Sequence, residues 1–544
     1  MAEINTVNVI NVGIGRSLLN FNKSVPMAGY SVAGCCSEGI YNDLTATCFN
    51  IDNKFFLVTV DLMGLSCLLV QTIVEYCNDK GYVNVRRDNL VINAIHNHTA
   101  MGGFFDSDFY NAYASSKSGF IKQVFDFLVE NISNAIIESC KQNNIKICKK
   151  ITHSHGKLDS IQINRSFKKE PYNDIDIVSF TTCDTNNNEI YFGHLIYISV
   201  HPTMMGMECK SLSSDFFGVA RDAIEVKNNV QIGFINVALG DQAPFLKIFN
   251  KNKKNIKDPT SSDEDINIDT FDNDGGYECG REACEYVGTH LAHQILNTIN
   301  SNSYNLDINN VGIKTKYCDI HSAKFVDING NEVSTESDPR VGFSALIGSE
   351  EAQVPIAKTL GFRELNGEHL SRWENVIDKK PEMTNLLLYP FLQTPCWFLR
   401  KIISVGQYYV TGYDISNIPH NFNVYNYWFG SFKVYTSPFE LTSGAVEEIV
   451  TYLNNDNNNK IILTSITDTY LSYLCNANDY DLQSYEGAST LYGRNSCQYL
   501  LNCYLNMDSN DAHATKVTKD DKTTYNKNKP HEGDHLVKQL IYKY

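Results

Sequence analysis

The chain has 544 residues, 43% hydrophobic and 20% charged, with a formal net charge of -16 and a pI near 5.3. That length buries a large core and allows one elaborate domain or two to three smaller ones at roughly 150 residues each. The acidic balance argues against nucleic acid as the main partner, because phosphate binding needs concentrated Lys and Arg and no basic stripe stands out. The N-terminus MAEINTVNVINVGIGRS lacks a basic segment followed by a long apolar one, so no secretory signal is expected. The greasiest run, Phe55 to Val74, is broken by Thr59, Asp61 and Gly64, and no membrane span is expected. The 16 cysteines form no C-x-x-C pair. Reduced, mostly buried thiols in a cytoplasmic protein are the expectation.

In chain order, NVINVGIGRSLLN predicts a strand running into a turn. Its Gly13 and Gly15 lack the third glycine and the following helix of a dinucleotide fingerprint. Thr45 to Ile51 and Lys54 to Leu62 predict a hairpin, and Cys67 to Cys77 a helix. The strand Asn89 to Ile95 then runs into His96-Asn97-His98 and a loop with Gly102 and Gly103. Alternation along a strand places His96 and His98 on one face. Two imidazoles at a strand's end suit a metal ligand beside a proton-transfer group.

Val124 to Cys140 has the spacing of an amphipathic helix, and strands follow at Ile145 to Ile151, Ile175 to Thr181 and Glu189 to Val200. The last of these ends in His201-Pro202-Thr203, repeating a buried strand closed by a histidine. Ser214, Asp215 and Gly218 are expected to precede a short helix, and Gln231 to Ala238 is a strand ending in Gly240-Asp241-Gln242-Ala243-Pro244. Residues 251–277 are polar and read as an exposed insertion. A helix is expected from about Glu282 to Ile299, then mostly strands from Val311 to Tyr435, with a glycine-bounded turn at Gly342 to Gly348. Val434 to Leu453 reads as a strand, a Ser-Pro turn, Glu440 and an amphipathic helix. Glu440 stands there either as a helix cap or as a ligand. Ile461 to Ile466 is a strand leading to Tyr470 and Tyr473.

The motifs VGIGRS (12–17), MAGY (27–30), HNHTAMGG (96–103), NRS (164–166), HPT (201–203), SSDFFG (213–218), GDQAP (240–244), GFSALIG (342–348), FELTSG (439–444) and QSYEGASTLYG (483–493) occur in one order. Together they resemble the N-terminal catalytic domain of the neutral, non-lysosomal ceramidase family. The resemblance implies one large mixed α/β (α+β) domain over residues 1–505, with mixed sheets flanked by helices. Residues 506–544 are then expected to be a tail, with no immunoglobulin-like domain. It implies a Zn²⁺ site held by His96, His201, Glu440 and Tyr473, with His98, Arg165 and Tyr485 facing the scissile amide. Such a mixed nitrogen and oxygen set suits zinc with an open position.

The family's G-D-x-S-P-N serine is replaced here, since the matching segment reads Gly240-Asp241-Gln242-Ala243-Pro244-Phe245. A methyl group forms no acyl-enzyme. The expected activity is therefore zinc-dependent hydrolysis of an N-acyl amide by metal-activated water, with His98 or Asp241 accepting the proton. The expected substrate is a small N-acyl compound other than ceramide. The alternatives are acyl transfer, ligation or cyclisation at the same zinc site, or a catalytically silent member that binds an acylated ligand. Asp215 and Asp241 also read as turn or supporting residues.

Overall fold

Runs of apolar and β-branched residues build three β-sheets of four or five strands, and each contains one parallel strand pair joined through a helix. The structure is a computed structural model that describes residues 9–30, 34–117, 119–165, 169–244, 280–337, 339, 340, 345, 418–454 and 459–507. The insertion expected at 251–277, the turn at 342–348 apart from Ala345, and the tail beyond 507 lie outside the described residues.

The first sheet comprises β1 (Ile10–Leu18), β2 (Thr45–Ile51), β3 (Phe55–Val60), β4 (Leu90–Ala94) and β5 (Ile145–Cys148), in the order β4-β3-β2-β1-β5. The β2–β3 hairpin turns at Asp52 and Asn53, both with positive φ. Helix α1 (Cys67–Asp79) makes the crossover to the parallel strand β4. Helix α2 (Lys122–Ser139) lies on β1, where a Cβ on Gly13 would stand 1.9 Å from the Ser139 carbonyl oxygen. The glycines of the GIG segment thus serve close helix packing.

The second sheet comprises β6 (Lys150–Lys157), β7 (Asp174–Cys183), β8 (Glu189–Ile198), β9 (Gln231–Asn236) and β10 (Ser303–Leu306), ordered β9-β8-β7-β6-β10. Here β8 and β9 are the parallel pair, joined through α3 (Asp215–Asn228), and α4 (Arg281–Ile299) shares α3's apolar cluster. The third sheet runs β11 (Val311–Asp319), β12 (Asn421–Phe429), β13 (Phe432–Thr436) and β14 (Lys460–Thr464) in that order. Its parallel pair β13–β14 is joined through α5 (Ser443–Leu453). The three sheets meet at aromatic side chains: Phe49 packs on Phe180, Phe180 on Phe429, and Phe55 on both Tyr427 and Phe429, with centroids 5.7 to 6.0 Å apart. Each such pair adds about 0.5–1.5 kcal/mol beyond its buried area.

Three expectations change, and one region without a predicted element turns out helical. The run Ile145 to Ile151 is two strands, because Lys149 is the joint at which the chain passes from the first sheet to the second. Asp215 and Gly218 lie inside α3, which starts at Asp215 and runs 14 residues. The strand before His96 ends at Ala94, so neither His96 nor His98 is on it. The polar segment after Tyr473 contains helices Ala477–Leu482, Tyr485–Ser489 and α6 (Ser496–Leu505), the last held by buried Leu500 and Leu501.

Candidate metal centre

The residues of interest stand beyond the carboxyl ends of the parallel strands: His96 after β4, His201 after β8, Asp241 after β9, Glu440 after β13, and Tyr470 and Tyr473 after β14. Open α/β sheets place their sites at such strand ends. After β4 the backbone turns left-handed at His96 (φ 66°). This turn brings the His96 and His98 rings edge to face with centroids 4.7 Å apart, where strand alternation was expected to do so. Between them, buried Asn97 fastens the loop: its carboxamide accepts from Thr99 N–H at 3.1 Å and donates to the Asp61 carbonyl at 3.3 Å and to the Ser213 carbonyl. Gly29 (φ 111°) is the floor under His98, since a Cβ there would stand 2.4 Å from His98 Cγ.

His201 is held twice by one carbonyl. Its backbone N–H donates to Gln242 O at 3.0 Å, and its ring Nδ1 lies 3.2 Å from the same oxygen. Glu440 and Tyr473 come from a short parallel ladder, Glu440–Leu441 with Tyr473–Leu474, whose register sets Glu440 directly opposite Tyr473. Gly240 donates to Leu441 O at 2.8 Å, and a Cβ there would meet the Glu440 and Leu441 carbonyl oxygens at 2.9 Å. Helix α5 is capped by Thr442, whose side chain accepts from Ala445 N, so Glu440 is free of the capping task.

The ring nitrogens settle the polarity of the centre. His96 Nδ1 is 2.7 Å from Met63 O, as His201 Nδ1 is near Gln242 O, and carbonyl oxygens only accept. Each Nδ1 therefore carries a ring proton, and in the neutral imidazole Nε2 is then the lone pair. Both Nε2 atoms face the same carboxylate oxygen, Glu440 Oε2, at 3.2 Å for His96 and 3.1 Å for His201. Burial, with Arg165 nearby, pushes His201 down to about 4, so its imidazole is neutral near pH 7. Three acceptors converge on one point, an arrangement that a cation relieves. Zinc bonds of about 2.0–2.2 Å at tetrahedral angles put ligand atoms about 3.3–3.6 Å apart, a few tenths of an ångström beyond the two observed separations. The donor set therefore fits the ion.

Phenols surround the carboxylate. Tyr470 donates its hydroxyl to Glu440 Oε1, and Tyr473 also hydrogen-bonds Glu440. Burial and the Glu440 charge raise both phenols well above their usual range. Tyr470 did not emerge from the sequence as a site residue. Its only signal was its place three residues before Tyr473. Arg165, 6% exposed, donates to Tyr473 OH and to Gly240 O, both at 3.2 Å, and its guanidinium lies over the Tyr485 ring at 5.9 Å. Both ring nitrogens of His98 are without a hydrogen-bond partner, and burial together with His96 and His201 lowers its pKa well below 6.5. His96, His98 and His201 also form a group whose ligand atoms all lie within 4.8 Å of one another.

Asp241 occupies a different position. Its carboxylate accepts from Ser443 N–H at 2.9 Å, from the Asn164 and Gln242 carboxamides at 3.0 and 2.7 Å, and from the Ser443 hydroxyl. Ala243 is 1% exposed and lies opposite Ile163 in the ladder of Gln242–Pro244 with Gln162–Asn164.

The sequence profile described as "Neutral/alkaline non-lysosomal ceramidase, N-terminal" matches residues 13–502. The neutral ceramidase of Drosophila melanogaster is 23% identical over 543 residues, covering 89% of this chain and 71% of that protein. Neutral ceramidase A of Dictyostelium discoideum is 22% identical, covering 86% of this chain and 68% of that protein. The fold matches a solved ceramidase complexed with C2 at a TM-score of 0.68 and 18% identity, over 92% of this chain and 75% of that one. The crystal structure of neutral ceramidase from Pseudomonas aeruginosa matches at 0.66 and 17% identity, over 92% and 74%. No helix among the described residues is long and apolar enough to cross a membrane.

Proposed function

This chain belongs to the neutral/alkaline non-lysosomal ceramidase family, a family of amidohydrolases, and from that premise we propose that it is a zinc-dependent hydrolase of an N-acyl amide bond that works without a serine nucleophile. The observation that carries the reading is the convergence of His96 Nε2, His201 Nε2 and Glu440 Oε2, with both Nδ1 atoms committed to backbone carbonyls. Backbone carbonyls that fix the tautomer of ligating imidazoles are a recurrent support of metal sites. Glu440 is the third ligand in preference to His98, because a divalent ion gains more from the one anionic group, and Tyr473 is the fourth donor. Bound there, zinc supplies Lewis acidity that polarises an amide carbonyl and makes water nucleophilic near neutral pH.

The chain's own residues do the rest. Neutral, unpartnered His98 takes the proton from the attacking water and returns it to the leaving amine. Arg165 and the Tyr485 hydroxyl donate toward the developing oxyanion. Asp241 positions Ser443 and Asn164, and through them the Gly240–Gln242 turn that holds His201. With Ala243 no acyl-enzyme forms, so the water route favours a small N-acyl amine over ceramide. The 14 described cysteines, all free thiols, fit a cytoplasmic setting.

Zinc content and turnover test this. The expected result is about one zinc per chain and chelator-sensitive release of amine from a series of N-acyl amines of graded chain length. A metal-free native protein, or turnover indifferent to chelator, overturns it.

A further inference from the structure

The loop that delivers the two phenols is strained. Between the end of β14 and Tyr473, three non-glycine residues hold positive φ: Ile466 at 49°, Asp468 at 72° and Ser472 at 62°. Left-handed backbone is unfavourable for residues with a Cβ and most of all for β-branched isoleucine. It persists where the surroundings over-determine it. The fastening here is the Asp468 carboxylate, 1% exposed. One of its oxygens accepts from the Arg87 guanidinium and, at 3.0 Å, from Tyr425 OH, while the other accepts from Asn423 N–H at 3.1 Å. The Asp468 N–H donates to Ile92 O at 3.1 Å, and Thr467 OH donates to Asn93 Oδ1 at 2.7 Å.

Three ligand-bearing segments therefore meet at one carboxylate. Arg87 stands just before β4, which runs toward His96, and Ile92 and Asn93 are on it. Tyr425 and Asn423 are on β12, hydrogen-bonded to β13, which leads to Glu440. Asp468 is two residues before Tyr470. The same loop touches the Glu440 side directly, through Thr467 N–H to Ser437 O at 2.8 Å and Leu471 N–H to Pro438 O at 3.0 Å.

We propose that Arg87 and Asp468 are positioning residues for the metal centre: their ion pair sets where the Tyr470 and Tyr473 hydroxyls stand against Glu440, and so sets the affinity for the ion. The inference rests on the zinc reading above. Neither residue touches the metal, the substrate or the reacting atoms. Sites need their donors held within about 0.5 Å, and a loop with three left-handed residues does not hold that tolerance unaided.

The full chain decides this with Asp468→Asn, Arg87→Lys and a control, Glu225→Gln, which breaks the partly buried Arg16–Glu225 pair between β1 and α3. Two quantities are read far below the unfolding midpoint: zinc affinity by competition with a chromophoric chelator, and amide hydrogen exchange of residues 465–475 in the metal-free chain. The expected result is a loss of roughly tenfold or more in zinc affinity for Asp468→Asn and Arg87→Lys, with faster exchange at 465–475. Glu225→Gln is expected to change neither, even where it lowers the midpoint as much. Zinc affinity for Asp468→Asn within twofold of wild type, or an equal loss in Glu225→Gln, overturns the proposal. Should Asp468→Asn fail to fold, Tyr425→Phe removes a single hydroxyl from the same carboxylate and is expected to weaken zinc several-fold, no change overturning the role. A wild-type chain that takes up no zinc refutes the zinc reading instead, and with it a role defined by zinc affinity, whatever the exchange data show of the anchor.

Discussion

His153 and His155 stand two apart on β6 and both reach Asp176 Oδ1 on the neighbouring strand β7, at 2.7 and 3.0 Å, while Lys460 on β14 meets Oδ2 at 3.1 Å. His96, His201 and Glu440 form a second group of two imidazoles and a carboxylate, but on loops past strand ends, and among the described residues no lysine or arginine pairs with that carboxylate. In the first group every contact on the acid is a donor, and a resident ammonium balances the charge. In the second, two imidazole lone pairs face a carboxylate oxygen. Composition is shared, so the difference lies in which ring nitrogen is already committed. Backbone carbonyls take Nδ1 of His96 and His201 and turn Nε2 inward, while His153 and His155 spend a nitrogen on the acid itself.

Removing one imidazole from each group breaks this comparison most sharply. His201→Ala, or Glu440→Gln, is expected to abolish zinc retention and lower amide hydrolysis by at least roughly a thousandfold, since a Lewis acid supplies several kcal/mol to the transition state. His153→Ala is expected to retain a full complement of zinc. Metal analysis of the purified variants reads both, and zinc lost from His153→Ala would erase the distinction.

The strand group is expected to matter for stability. Asp176→Ala strands buried His153 and the Lys460 ammonium, and denaturant unfolding should show a loss of roughly 3–5 kcal/mol with zinc binding unaltered. Burial raises the Asp176 pKa, yet hydrogen bonds from His153 and His155 and the Lys460 charge outweigh it and hold the group far below 3.8. An acid so depressed stabilises the fold above its unfolded pKa and loses that contribution as pH falls through the folded value. Wild type should therefore lose stability progressively below about pH 4, a loss that Asp176→Asn should lack.

How much of this was legible follows from the same pair of groups. The sequence contains two His-x-His pairs, and only their surroundings differ: His96 and His98 close an apolar run before Gly102 and Gly103, whereas His153 and His155 sit inside a strand. Helical spacing placed α1, α2 and α4 within about two residues, because amphipathic periodicity is local. The Glu440–Tyr473 register, the carbonyls of Met63 and Gln242, and the left-handed turn at His96 are products of tertiary packing with no local signal. Tyr470 was passed over for that reason: its hydroxyl reaches Glu440 by the path of a strained loop, which no periodicity encodes.

A smaller effect probes a buried acid outside both groups. Asp215, at the start of α3, holds the turn after His201 by accepting from Met205 N–H at 2.9 Å, and burial raises its pKa from 3.8 to about 6. Its stabilising contribution is complete below pH 3.8 and is lost as pH rises through 6. A gap of about two pH units at about 1.36 kcal/mol each amounts to roughly 3 kcal/mol at most. Asp215→Asn has no proton to lose and tolerates the left-handed φ of 54°. Relative to wild type, the variant should gain stability between pH 4 and pH 7, on top of a constant offset for the hydrogen bond that one amide oxygen cannot accept. A stability difference that stays flat across that window would place the Asp215 pKa near its ordinary value.

The finest discrimination separates the roles of the histidines inside the loop group. Gly29 has φ 111° and no room for a Cβ, with His98 Cγ only 2.4 Å from where it would stand. Gly29→Ala is thus expected to cost roughly 1–2 kcal/mol of stability and to push the His98 ring out of place. If His98 moves the proton while His96, His201, Glu440 and Tyr473 hold the ion, the variant keeps its zinc and loses turnover by roughly tenfold to a hundredfold, the scale of one proton-transfer group. If His98 is itself a ligand, in the trio it forms with His96 and His201, zinc affinity falls together with turnover. Chelator competition and initial rates on one preparation separate the two, because only the first leaves the ion in place while the chemistry slows.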